Sequence, residues 1–467
     1  MRAKKVDDIE LLLSKLNKEH LCEFIRRECA NNRQLKQRFL ALGAGAILTP
    51  NYTHYQSRVE DIIENFAGRR GYVSYHDTFA LNRAVSKILD EADEAINKHR
   101  WEVAIAVLEG VAAACEDIIS CGDDSAGELG CVVEDCFSKW LELCHEELLP
   151  PTVKNEIFEL SISYFEKGYL KGYDWWWDWI EMAISLADTS QKQECIVNLL
   201  DIIINTHSDD WNVEYNARTA QRYKLEVMSR SGTPEEQLRF MYDNVTNPDF
   251  RQKLLQLSWD KGNYEEVLRL AKEGIKHDSQ FPGLVNDWRK WELKTYQHKN
   301  DKENILKLAQ YFFFTRSGFG EKEYSMEAMY ALMKSNIPNE KWHNFVGSLI
   351  KDAVKQRTGI EELFIYTQEK MWDRYMDFLR KKPSTYILDD TPREVWELYK
   401  DELIQLYASC VKYDFQRASD RNAYRNGVTL LRQLIKYGGK KEVDAIVDEL
   451  KALKPRRPAL LDELSKL

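Results

Sequence analysis

The chain has 467 residues, 44% hydrophobic and 30% charged, with a formal net charge of −10. That length exceeds one compact core, and the composition is that of a folding chain, not a disordered one. The acidic balance argues against broad attraction to phosphate backbones or anionic membranes. Only 21 glycines and 11 prolines are present, too few for the many tight turns of a large all-β chain, so long helices with short connections are expected.

From the N-terminus, Ile9, Leu12, Leu13 and Leu16, then Leu21, Phe24 and Ile25, follow the three-and-four spacing of a helix face. Asn17-Lys18 separates the two runs, as in a helical hairpin. Nothing here resembles a signal peptide. Tyr72-Val73-Ser74-Tyr75 is the best strand candidate and is too short to change the class. The apolar stretch Val103 to Cys115 is interrupted by Glu109 and is too short to span a bilayer.

Next comes a cysteine-rich stretch: Cys115, Cys121, Cys131, Cys136 and Cys144, with His145. Zinc sites favour paired ligands on tight turns, and Cys131 and Cys136 lie five apart. Buried free thiols are therefore the first reading, in keeping with nine cysteines in a reducing compartment. Cys144 and His145 are neighbours whose side chains diverge on a helix, a poor nucleophile pair. Asp123, Asp124 and Glu128 follow Gly122 without the ligand order of a calcium loop. Helix capping explains them better, with Asp124 or Ser125 as the cap.

Trp175, Trp176, Trp177 and Trp179 crowd one short segment beside Tyr173. On a helix, Trp175, Trp176 and Trp177 cannot all face one core. Trp176 or Trp177 is then either an inter-hairpin contact or an exposed aromatic anchor. Trp288 and Trp291 form a similar pair. Thr233-Pro234-Glu235-Glu236 reads as a capping box, and Thr391-Pro392-Arg393-Glu394 repeats it. Ser125-Ala126-Gly127-Glu128 is a weaker copy. Leu306, Leu308 and Phe312-Phe313-Phe314 continue the helical pattern. Arg380-Lys381-Lys382 and Lys454-Pro455-Arg456-Arg457 are the main basic runs, best read as solvated surface.

Internal echoes link these segments. Gly262-Asn263-Tyr264-Glu265-Glu266-Val267 resembles the start of the second helix of a tetratricopeptide repeat. Lys98 to Ala104 and Gly438 to Val443 repeat it faintly. Pro282 is displaced from where the repeat's terminal proline belongs, so irregular hairpins are expected, not a regular array.

Three stretches resemble the helical region that follows the zinc finger in bacterial SWIM-type zinc-finger proteins. They are Ile9 to Leu42, with its Gln37-Arg38-Phe39-Leu40 ending; Gly71 through Trp101 to Gly130; and Ala418 to Leu464, with Arg456-Arg457-Pro458-Ala459-Leu460. The resemblance implies a tetratricopeptide-like scaffold. The finger itself needs Cys-x-Cys followed by Cys-x-His, and neither pattern occurs in this sequence. The family's zinc role therefore falls on no residue here.

The absence of phosphate-cradle, His-Glu-x-x-His and Gly-x-Ser-x-Gly motifs lowers the enzyme reading. The expected fold is all-α, an α-α superhelix of irregular tetratricopeptide-like hairpins. A helical unit over 1–70 precedes an array over 71–467, with sub-boundaries near 150 and 385. The expected function is a non-catalytic, cytoplasmic scaffold holding a protein partner, without a cofactor or a membrane. Trp176, Trp177, Trp288 and Trp291 are the candidate partner-binding residues. A nucleic-acid accessory role is the alternative, disfavoured by net charge, and an unrecognised enzyme comes after it.

Overall fold

A computed structural model describes residues 16–32, 35–36, 51–68, 71–206, 211–315 and 321–467. The expected run Ile9 to Leu13 and the Gln37-Arg38-Phe39-Leu40 ending lie outside them. The described residues are all-α, a succession of helices that pair with their chain neighbours in a solenoid-like manner. No helix among them is long and apolar enough to cross a membrane.

Two compact units divide the chain, Met1–Arg251 and Gln252–Leu467. In the first, the Tyr52–Phe66 and Tyr75–Asn97 helices both pack on Trp101–Ala113. Tyr75–Asn97 also packs on Glu128–Cys144, and Pro151–Glu166 pairs with Asp178–Ser185. One continuous core runs from Tyr55 to Val227, so residues on either side of positions 70 and 150 share it. In the second unit, Tyr264–His277, Pro282–Lys299, Lys302–Thr315 and Met326–Asn336 pack each on the next. Its core extends from Leu268 to Leu464.

The helix starts follow from local chemistry. Asn17 caps Lys18–Asn31 by accepting from the His20 N–H. Thr233 and Glu236 form the reciprocal capping box at Pro234–Asp243. Asn263 caps Tyr264–His277 through the Glu266 N–H. All three internal echoes fall at helix starts: Trp101, Tyr264 and Lys440 each open a helix. The box expected at Thr391 does not form. Pro392 is the cap position, and the Thr391 hydroxyl instead donates to the Ile387 carbonyl at 3.0 Å, finishing the preceding short helix.

The strand candidate reduces to a single bridge, Val73 with Gly122. Val73 N–H donates to Cys121 O at 2.9 Å, and Asp123 N–H donates to Val73 O at 3.2 Å. A β-carbon on Gly122 would sit 2.8 Å from Val73 O, so only glycine permits this approach. Gly110 has a like role: a β-carbon there would lie 2.6 Å from Tyr52 O, where two helices touch.

Candidate functional site

Most of the chemically suggestive residues of the first unit serve its packing. Asp124 accepts from the Leu129 N–H at 2.7 Å and the Gly130 N–H at 3.1 Å, capping Glu128–Cys144. Asp123 accepts from the Ser125 N–H at 3.0 Å, and Glu128 accepts from the Asn82 amide at 2.9 Å. The weak box copy at Ser125 is thus replaced by Asp124, with Gly127 in the left-handed region at the cap. Cys115, Cys121, Cys136 and Cys144 are buried free thiols, whereas Cys131 is exposed. Burial pushes the Cys121 thiol up to about 11 and the Cys144 thiol up to about 12, so neither is a ready nucleophile. His145 turns away and bonds the Leu141 carbonyl through Nδ1 at 2.7 Å. No metal-competent group of His, Cys, Asp and Glu occurs among the described residues.

The tryptophan run differs from a regular helix. Asp174–Trp176 is a 3₁₀ turn that bends into the Asp178–Ser185 helix. That change of geometry lets Trp176, Trp177 and Trp179 all enter one core, with Trp175 partly buried against it. Trp176 is 5% exposed, stacks on Phe165 at 4.5 Å and donates to the Phe165 carbonyl at 3.1 Å. Trp177, 4% exposed, stacks on Tyr223 at 5.7 Å. In the second unit, Trp288 is buried and donates to Asp278 at 2.7 Å, while Trp291 donates to Gln252 at 3.0 Å. All four indoles face inward, and each has a packing role.

Beside the tryptophans sits an acid cluster. Burial, then Glu181, Asp174 and Glu134, raise the Asp178 carboxyl to about 7. Asp174 accepts from the Tyr215 hydroxyl at 3.0 Å.

The second unit holds a different arrangement. Three successive helices, Tyr264–His277, Pro282–Lys299 and Lys302–Thr315, surround an open groove of about 360 Å³. Lys272 and Ile275 come from the first, Arg289 and Glu292 from the second, and Lys307, Leu308 and Tyr311 from the third. The side chains are set by helical spacing. Glu292 lies four residues after Trp288 and seven after Val285, on the buried stripe of its helix. Only 9% of it is exposed. Burial raises its carboxyl, and Lys272 and Arg289 pull it back down.

Tyr311 is pinned by its hydroxyl, which donates to Asn286 at 2.7 Å. The Arg289 guanidinium then lies over the Tyr311 ring at 3.7 Å from its centre. Stacking fixes the plane of Arg289 and leaves its N–H edges free to donate. Lys307 pairs with Glu303 at 2.7 Å. Among the described residues, neither Lys272 nor Arg289 forms an ion pair. The groove therefore has an apolar floor, two cations outside any close ion pair, and one carboxylate, Glu292, that they partly offset.

The sequence reading passed over Lys272, Arg289, Glu292 and Lys307, because each is an unremarkable helical charge. One signal was present: Glu292 interrupts an apolar stripe between Trp288 and Tyr296. The longer basic runs behave as solvated surface where their partners are seen; Arg380 is held by Glu402 and Asp377. No protein-family model matches this chain, and no curated protein matches it significantly in sequence.

Proposed function

We propose that the protein is a non-catalytic helical scaffold that holds a protein partner. The observation that carries this reading is the groove, where three consecutive helices direct uncommitted polar groups onto one open surface. Stacked hairpins bury a shared core and leave side chains of successive helices in register for contact. An open groove suits an extended segment better than it suits water-excluding chemistry. The first unit supports the same reading, since Cys115, Cys121, Cys136 and Cys144 are buried and Asp124 caps a helix.

The test is purification of the full chain from its native source under mild conditions. The reading expects a protein to co-purify in fixed stoichiometry, and expects the purified chain to leave a broad metabolite mixture unchanged. Turnover of a metabolite by the chain alone would contradict it. The cations of the groove also favour a second reading, a nucleic-acid accessory role related to SWIM-type proteins. Binding to an oligonucleotide that weakens steeply with added salt would support that role instead.

A further inference from the structure

We infer that the groove between Tyr264–His277, Pro282–Lys299 and Lys302–Thr315 binds an acidic peptide segment, one side-chain oxyanion held by Lys272 and Arg289 and a neighbouring apolar side chain seated on Ile275 and Leu308. The inference rests on the scaffold reading above and names the chemistry of its partner.

Charge is the first argument. Lys272, Arg289 and Lys307 line the groove against one carboxylate, Glu292. With Lys307 engaged by Glu303, Lys272 and Arg289 against Glu292 leave a net positive charge for a ligand. Arg289 is also preorganised. Its stacking on a hydrogen-bonded Tyr311 removes much of the rotamer freedom that a surface arginine would lose on binding. A planar oxyanion meeting the free edge of that guanidinium gains paired, charge-assisted hydrogen bonds.

Glu292 selects a peptide over a polyphosphate. It lines the groove, and its carboxylate opens onto solvent there. An N–H group of a ligand can donate to that carboxylate in place of water. A peptide backbone brings such N–H groups beside its acidic side chains. A run of phosphodiesters brings only further negative charge, which Glu292 repels. The apolar floor adds the same preference, because Ile275 and Leu308 offer a seat for an aliphatic side chain.

Two kinds of peptide oxyanion share this chemistry, the carboxylate of Asp or Glu and the phosphate of a phosphorylated serine. They are separated by binding assays on the full chain with three short fluorescent peptides. One alternates leucine with glutamate, one replaces glutamate by phosphoserine, and one replaces it by glutamine. The glutamate or phosphoserine peptide is expected to bind, with the tighter of the two identifying the source, and the glutamine peptide at least tenfold weaker. Lys272→Glu should weaken the acidic peptide about tenfold, the loss of one charge-assisted contact. Glu292→Gln keeps an acceptor and removes the repelling charge, so it should tighten binding several-fold. Circular dichroism on each variant checks that the helices persist.

Failure of both acidic peptides to bind would overturn the inference, as would equal binding of the glutamine peptide or indifference to Lys272→Glu. An oligonucleotide binding more tightly than either acidic peptide, and losing that binding on Lys272→Glu, would assign the groove to nucleic acid and overturn it too. None of these results touches the co-purification test, so the scaffold reading stands or falls separately.

Discussion

Asp178 in the first unit and Glu292 in the second are both carboxylates drawn out of water, and burial raises both. Their neighbours are opposite. Asp178 faces Glu181, Asp174 and Glu134, all of which raise it further, and Tyr223 lies within its field. Glu292 faces Lys272 and Arg289, which lower it. The same desolvation thus meets a ring of exposed acids around Asp178 in one unit, and a cation-rimmed groove in the other. Burial alone does not mark a site; what matters is the sign of the charge that surrounds the buried group.

The largest effect is expected in the aromatic core of the first unit. Trp176→Ala deletes a buried indole stacked on Phe165 and should cost about 3–5 kcal/mol. Denaturant unfolding should show the loss. Tyr311→Ala, on the half-buried wall of the groove, should cost well under half of that.

Asp178 offers a pH test. A carboxyl raised from 3.8 to about 7 in the folded chain holds its proton longer than in the unfolded chain. Stability is therefore lost as pH rises from about 4 to about 7, and stays lost above that range. Asp178→Asn should stabilise the fold at pH 8 by on the order of 1–2 kcal/mol, read as a higher melting temperature, after allowance for solvent screening and for the favourable helix dipole it gives up. Near pH 4 the variant should melt like the parent or slightly below it.

Glu292→Gln is the matched comparison. The direction is the same, since its carboxyl is also raised, so stability again falls as pH climbs past the ordinary glutamate range. The gain at pH 8 should be smaller than at Asp178, because Lys272 and Arg289 already favour the ionised form. Thr233→Ala lies in neither region and calibrates both. Loss of the capping box should cost about 1 kcal/mol at every pH between 6 and 8.

The helical class was legible because amphipathic spacing and capping are local. Thr233, Asn263 and the Gly262-Asn263-Tyr264 echo each announce a helix start within a few residues, and each lies at one. Thr391 shows where local reading stops. It carries the letters of a cap, but a short helix ending at Asp389 claims its hydroxyl first. The tryptophan run misled for a related reason. Regular helical geometry would splay Trp175, Trp176 and Trp177, and only the 3₁₀ turn brings Trp176 and Trp177 together into one core. The groove was least legible. Lys272, Arg289 and Lys307 come from three helices over 36 positions, and no sequence window shows them converging. Glu292 on an apolar stripe was the single local clue.

Hydrogen–deuterium exchange of the full chain, with and without the acidic leucine-containing peptide, tests the central claim most directly. Slowed exchange concentrated in Tyr264–His277, Pro282–Lys299 and Lys302–Thr315, and absent in Lys272→Glu, is the predicted result. Protection centred on Glu128–Ser185 instead, or no protection in the three groove helices, would contradict it.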